Sequence, residues 1–197
     1  MKKLLILLSS IGTSVSRHFH RARIRPLNAI SSSIFESNIN FHLLELGTGK
    51  EVDFGQYRGK TLVLMNVASR CGFTQQYADW EKFYEQHKAS ITILGFPANN
   101  FLDQEAGSNA QIASFCSKIF GVTFPMFEKI SVKGKSTHPI YQWLSSRSKN
   151  GWNNRSPTWN FCKYVLNENG ELMGFFPAAT LPNDEKFNAL LGLPKTA

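Results

Sequence analysis

The sequence predicts an α/β protein: a central mixed β-sheet with helices on both faces. Three observations predict it. Thr61–Ala68 and Ile91–Phe96 are continuous apolar runs, the pattern of strands buried in a parallel sheet. Gln75–Lys88, polar and aromatic at helical spacing, lies between them and completes a strand–helix–strand unit. Downstream, Phe161–Leu166 and Glu171–Phe176 flank Asn167-Glu168-Asn169-Gly170, which reads as a hairpin with a four-residue turn.

The remaining elements follow in order. Phe41–Leu46 and Gly47–Lys50 read as a strand and a turn, and Gln56–Lys60 leads into the first apolar strand. Ser108-Asn109-Ala110-Gln111 has the form of a capping box and opens a helix to about Phe120, with Ile112, Phe115 and Ile119 at helical spacing. A further helix starts near Pro139 with Ile140, Trp143 and Leu144 on one face. The last runs from Asp184 to Leu191, with Asn183 as its cap. The order β-α-β-α-(β)-α-β-β-α fits a thioredoxin-like layout.

Two segments divide the chain. Residues 1–35 read as a leader, disordered or cleaved, and 36–197 as the folded domain. Lys2-Lys3 followed by Leu4–Ile11 is a basic start and a short apolar run, and Ser14-Val15-Ser16 is a small-x-small cleavage pattern. That favours export. The later Arg residues, seven Ser and the absence of acids before Glu36 favour an organelle such as the mitochondrion, and both readings stand. The apolar run is too short for a membrane span.

The net charge of +8 comes mainly from this leader. Six of the 22 Lys and Arg precede Glu36, which leaves 16 cations against 14 acids in residues 36–197. So balanced a domain gives no case for nucleic-acid binding. The cysteines Cys71, Cys116 and Cys162 are odd in number and widely spaced, with no CxxC pair, which excludes a disulfide framework and a cysteine metal site. No metal is expected.

Asn66-Val67-Ala68-Ser69-Arg70-Cys71-Gly72-Phe73-Thr74 is the most informative stretch. It places Cys71 in a strand-to-helix turn, where unpaired N–H groups and the helix dipole favour an anion and hence a nucleophilic thiolate. A small buried core cysteine is the bland alternative. Alone, Gln104 reads as a loop side chain, Trp159 as a core aromatic and Asn160 as a turn residue.

Three blocks change that reading. They are Asn66–Thr74, Gly95-Phe96-Pro97-Ala98-Asn99-Asn100-Phe101-Leu102-Asp103-Gln104-Glu105-Ala106-Gly107-Ser108-Asn109, and Trp159-Asn160-Phe161. With Phe124–Phe127 and His138-Pro139, the chain resembles the glutathione peroxidase family over about residues 33–191. The resemblance implies a thioredoxin-like fold and reduction of hydrogen peroxide or organic or lipid hydroperoxides, in keeping with a role in oxidative stress. It puts Cys71 at the peroxidatic position, selenocysteine in some members, and Gln104, Trp159 and Asn160 in the rest of the tetrad. Cys116 matches the resolving cysteine of the all-cysteine members, which form a disulfide and typically draw electrons from thioredoxin-type proteins in preference to glutathione. No prosthetic cofactor is implied. Ala98 and Asn100 replace the usual Cys and Gln, and Cys162 replaces a usually polar residue. The 20 residues between His138 and Trp159 contain no evident subunit-joining insertion, so a monomer is expected.

The residue types suit the chemistry. A thiolate attacks one peroxide oxygen in line and expels the other as water or alcohol. Two amides and an indole offer N–H donors that stabilise negative charge without adding a titrating group. Attack leaves a sulfenic acid on Cys71, which Cys116 condenses with to a disulfide. The two thiols are expected to lie beyond disulfide reach in the reduced fold, so that the helix after Ser108 unwinds locally at each turnover. Cys162 is expected to be structural. A thioredoxin-like disulfide exchanger is disfavoured because Cys71-Gly72-Phe73-Thr74 lacks a second cysteine. A peroxide sensor that passes oxidation to a client remains the alternative.

Overall fold

The computed structural model describes residues 21–194. The strands are β1 (Arg23–Ile24), β2 (Leu43–Leu44), β3 (Glu51–Val52), β4 (Thr61–Val67), β5 (Ile91–Pro97), β6 (Lys163–Leu166) and β7 (Leu172–Phe176). The α-helices are α1 (Gln76–His87), α2 (Asn109–Phe120), α3 (Pro139–Leu144), α4 (Arg147–Asn150) and α5 (Glu185–Leu190). A five-stranded sheet runs β1-β7-β6-β4-β5, and β2 and β3 form a separate two-stranded ribbon. β4 and β5 are parallel, joined through α1, while β6 and β7 are antiparallel neighbours. This is the mixed, thioredoxin-like sheet the sequence predicts.

Burial explains the strand sequences. Six of seven residues of β4 and all of β5 are buried, because both faces of the sheet are covered. One face carries Leu62, Leu64, Leu94 and Phe96 with α3. The other carries Val63, Met65 and Val165 with Tyr77, Trp80 and Phe83 of α1 and Ile112 of α2. The hairpin turn closes with Asn167 N–H donating to Glu171 O and Gly170 N–H to Asn167 O. Gly170 has φ +78°, and a Cβ there would lie 2.4 Å from Phe35.

Several expectations need correction. Residues 21–35 are part of the fold: Arg23 and Ile24 pair with Phe175 and Gly174, Ile34 is buried, and Arg25 pairs with Glu171 at 3.0 Å. The boundary therefore lies before Arg23 and not at 36. The basic, Ser-rich composition hid a two-residue edge strand too short to show a period. Residues 1–20, with the apolar run and the cleavage pattern, lie outside the described residues. The cap of α5 is Asp184, whose Oδ1 accepts from Phe187 N–H at 2.9 Å; Asn183 is one residue too early. Ile119 is exposed, and the inner face of α2 is Ile112 and Cys116. The bracketed strand before α3 is only a pair of isolated bridges, Gly95 to Met126 and Glu45 to Phe127. Among the described residues, no helix is long and apolar enough to cross a membrane.

Candidate active site

β4 ends at Val67 and α1 begins at Gln76, and a run of tight turns between them carries Cys71. Thr74 organises it. Its Oγ1 accepts from Cys71 N–H and donates to Ala68 O, both at 2.9 Å, and its N–H donates to Cys71 O at 3.0 Å. Cys71 is half-buried, and its Sγ accepts from Phe73 N–H at 3.4 Å. The N–H that meets the sulfur thus comes from the turn itself; the helix proper starts five residues later.

Gln104 lies in a loop that turns sharply through Leu102 and Asp103, both at φ +51°. Asn99 braces it: its Nδ2 donates to Asp103 Oδ1 at 3.1 Å and its Oδ1 accepts from Glu105 N–H at 2.9 Å. Gln104 O accepts from Arg70 N–H at 3.0 Å, which ties the loop to the residue before Cys71.

Asn160 precedes β6 and is fully buried. Its Nδ2 donates to Gln104 Oε1 at 2.8 Å, while its Oδ1 meets no partner among the described residues. Trp159, half-buried, lies 5.6 Å from the Phe101 ring, and its carbonyl accepts from Asn66 Nδ2 at 3.0 Å. Asn66 also accepts from Phe161 N–H at 2.6 Å, where Phe161 has φ +64°. Asn66 is a site residue the sequence reasoning missed. A polar side chain at the end of an otherwise apolar strand was its signal.

The structure therefore joins Gln104 to Asn160 directly, and both to the Cys71 and Trp159 backbone through Arg70 and Asn66. With Oε1 occupied, the Gln104 amide keeps its N–H groups free; neither they nor the Trp159 indole N–H hydrogen-bonds to another described residue.

Cys116 lies on a different element, α2. It is buried on the inner face of α2, packed with Ile112 and against Tyr77, and it lines a cleft of about 740 Å³ that does not include Cys71. Burial pushes its thiol up to about 11, and the charge of Glu105 adds to the rise. Cys71, Cys116 and Cys162 are all free thiols. Cys162 is fully buried, 3.7 Å from Thr158 Oγ1, just before β6. Among the described residues, no group of three or more His, Cys, Asp or Glu could hold a metal ion.

Fold and site together define a thioredoxin-like protein with a cysteine at a strand-to-helix turn and, in the neighbouring segments, a hydrogen-bonded Gln104–Asn160 pair. Residues 40–145 match the family model for glutathione peroxidase. A glutathione peroxidase of Lactococcus lactis is 42% identical over 137 residues, 69% of this chain and 87% of that one. Glutathione peroxidase-like peroxiredoxin 2 of Saccharomyces cerevisiae is 38% identical over 146 residues, 73% of this chain and 90% of that one. Among solved structures, apo Trgpx is 32% identical with a TM-score of 0.57, covering 80% of this chain and 98% of that one. The chain belongs to the glutathione peroxidase family and is a thiol-dependent peroxidase.

Proposed function

We propose that this peroxidase reduces hydrogen peroxide and organic or lipid hydroperoxides at Cys71. The free N–H groups of Gln104 and Trp159 stabilise the charge that develops on sulfur and on the departing oxygen. Asn160 positions Gln104. The observation that carries this reading is the 2.8 Å bond from Asn160 Nδ2 to Gln104 Oε1, between residues 56 apart in sequence, because it turns the Gln104 donors free. Attack breaks the O–O bond, releases water or alcohol and leaves Cys71 as a sulfenic acid. Cys116 then condenses with it, and an external thiol reduces the disulfide. Burial of Cys116 on an intact, capped helix supports the need for α2 to open first. A thioredoxin-type protein is the preferred reductant, glutathione the second, and the protein acts as a monomer without a prosthetic group.

The test is peroxide consumption by the full chain with thioredoxin and its reductase, against glutathione and its reductase. Thioredoxin should support turnover, and Cys71→Ser and Cys116→Ser should each abolish it. Turnover with glutathione that survives Cys116→Ser would make Cys116 structural. Slow turnover with both reductants would favour a sensor.

A further inference from the structure

Lys129 takes no part in the chemistry above, yet it holds both segments that the chemistry uses in turn. Its ammonium donates to Glu105 O at 3.2 Å and to Gly107 O at 2.7 Å, and among the described residues it joins no ion pair. Its backbone N–H donates to Asn109 Oδ1 at 3.0 Å. Glu105 follows Gln104 directly, and Asn109 is the first residue of α2. One residue therefore closes the Gln104 loop with its side chain and clips the start of the Cys116 helix with its main chain. The support it stands on is itself bolted to the sheet. Phe127 N–H donates to Gly95 O at 2.9 Å, Ile130 N–H to Pro97 O at 3.0 Å and Glu128 N–H to Leu44 O at 2.8 Å, which lays residues 125–130 along β5 and β2. The two grips differ in strength. Bonds from an ammonium are roughly twice as strong as neutral ones, and Lys129 puts two of them on the loop. Through its own main chain it holds α2 by a single neutral bond.

We propose that Lys129 is a positioning residue that divides the part of the site that stays from the part that moves. Its ammonium keeps Gln104 in place throughout the cycle, and its N–H releases Asn109 when α2 opens to bring Cys116 to the oxidised Cys71. This rests on the roles given above to Gln104, Cys71 and Cys116. In the condensation an S–S bond forms and the S–O bond of the sulfenic acid breaks. The hydroxyl leaves with the Cys116 proton as water, and the peroxide already consumed is the only oxidant. A boundary is needed because only residues 105–108 separate Gln104 from α2. Opening that spread back past Gly107 would draw Gln104 out of the site, and the loop would have to be rebuilt before the next peroxide. The charged grip on Glu105 O and Gly107 O stops it there.

The experiment is a single turnover of the full chain with one equivalent of hydrogen peroxide. Dimedone trapping times the oxidation of Cys71, and loss of the second free thiol times the condensation. Lys129→Met removes the ammonium and leaves the backbone N–H. It should slow Cys71 oxidation about tenfold, the scale of a lost bond from a charged donor, and leave condensation no slower. Lys129→Arg keeps donors for both carbonyls and should restore the oxidation rate. Asn109→Ala removes only the clip on α2. It should leave Cys71 oxidation unchanged and speed condensation about fivefold, the scale of one neutral bond. Asn109→Asp keeps the acceptor and should condense no faster than the wild type. A merely structural Lys129 would lower the melting temperature without separating the two steps. Equal slowing of both steps in Lys129→Met, no rescue by Lys129→Arg, or no faster condensation in Asn109→Ala overturns the proposal. If Lys129→Met does not fold, the neutral and shorter Lys129→Gln replaces it with the same expectation. Cys116→Ser separates the two levels. If it halts at a dimedone-trapped Cys71 while the Lys129 and Asn109 variants do not divide the steps, only the Lys129 role fails. If it still loses two thiols per peroxide, the assignment of Cys116 fails and this proposal with it.

Discussion

Asn160 directs its amide N–H to Gln104 Oε1 from a fully buried position, so in the proposed reaction its contribution to rate passes through Gln104. Gln104→Ala and Asn160→Ala should each lower kcat/KM for peroxide by about 10²–10³-fold, the usual loss when one preorganised donor is removed. The double variant should be little worse than either, because the pair acts as a unit. Stopped-flow peroxide reduction measures all three; losses that multiply would show two independent groups. Lys163 is a second buried residue of interest. Its Nζ donates to Gln76 Oε1 at 2.8 Å, Ala178 O at 3.1 Å and Thr180 O at 2.6 Å, and lies 5.1 Å from the Trp80 ring. Burial pushes its ammonium down to about 7, while those acceptors and the ring face favour the cation. A lysine depressed in the folded state binds fewer protons there than in the unfolded chain. The cost of burying its charge is therefore complete below about pH 7 and relieved as pH rises toward the unfolded value of about 10.4. Relative to Lys163→Met, the wild type should gain on the order of 1–2 kcal/mol between pH 7 and 9, read from urea midpoints at each pH. A constant difference would mean the ammonium persists.

At the scale of elements, α2 carries Cys116, the proposed resolving thiol. It is held at its start by a complete capping box, Ser108 Oγ to Gln111 N–H and Gln111 Oε1 to Ser108 N–H, and ended by Gly121 at φ +61°. Ser108→Ala should cost about 1 kcal/mol of stability. If α2 opens for condensation as proposed, the same variant should form the Cys71–Cys116 disulfide faster; slower condensation would mean that the helix moves as a rigid body. This element also shows what was legible in the sequence. Its capping box and length could be read directly, since Ser and Gln three residues apart carry a local mechanism. Its inner face was misjudged, because Ile119 is apolar without being buried, and periodicity cannot distinguish the two. Gln104, Trp159 and Asn160 were legible only as parts of family blocks. The Gln104–Asn160 bond joins segments 56 residues apart, and no local pattern encodes it. Asn66, Glu105 and Lys163 went unread for a related reason: each is a polar residue whose partners are backbone carbonyls or distant side chains supplied only by the assembled fold.

For the whole molecule, the folded unit begins upstream of where charge and composition place it. Deleting residues 1–35 removes the β1–β7 pairing, the buried Ile34 and the Arg25–Glu171 pair. Burial of one isoleucine side chain alone is worth about 1.5–3 kcal/mol, so the truncated chain should be less stable by on the order of 3 kcal/mol. Deleting residues 1–20 removes none of these contacts. Thermal melts of the two truncations against the full chain decide it, and equal melting of the longer deletion and the full chain would make the segment dispensable. The sheet has two margins. Along β5, residues 125–130 lie alongside, with Gly95 N–H donating to Pro125 O and Phe127 N–H to Gly95 O. Along β7, cover comes from the short strand Arg23–Ile24, with Arg25 N–H donating to Met173 O at 2.8 Å. A protease that trims the N-terminus past Ile24 would therefore bare the backbone donors and acceptors of a buried, largely apolar strand, the template on which a second chain can add. A chain trimmed past Ile24 would thus be open to edge-to-edge association that a chain keeping Arg23 and Ile24 resists.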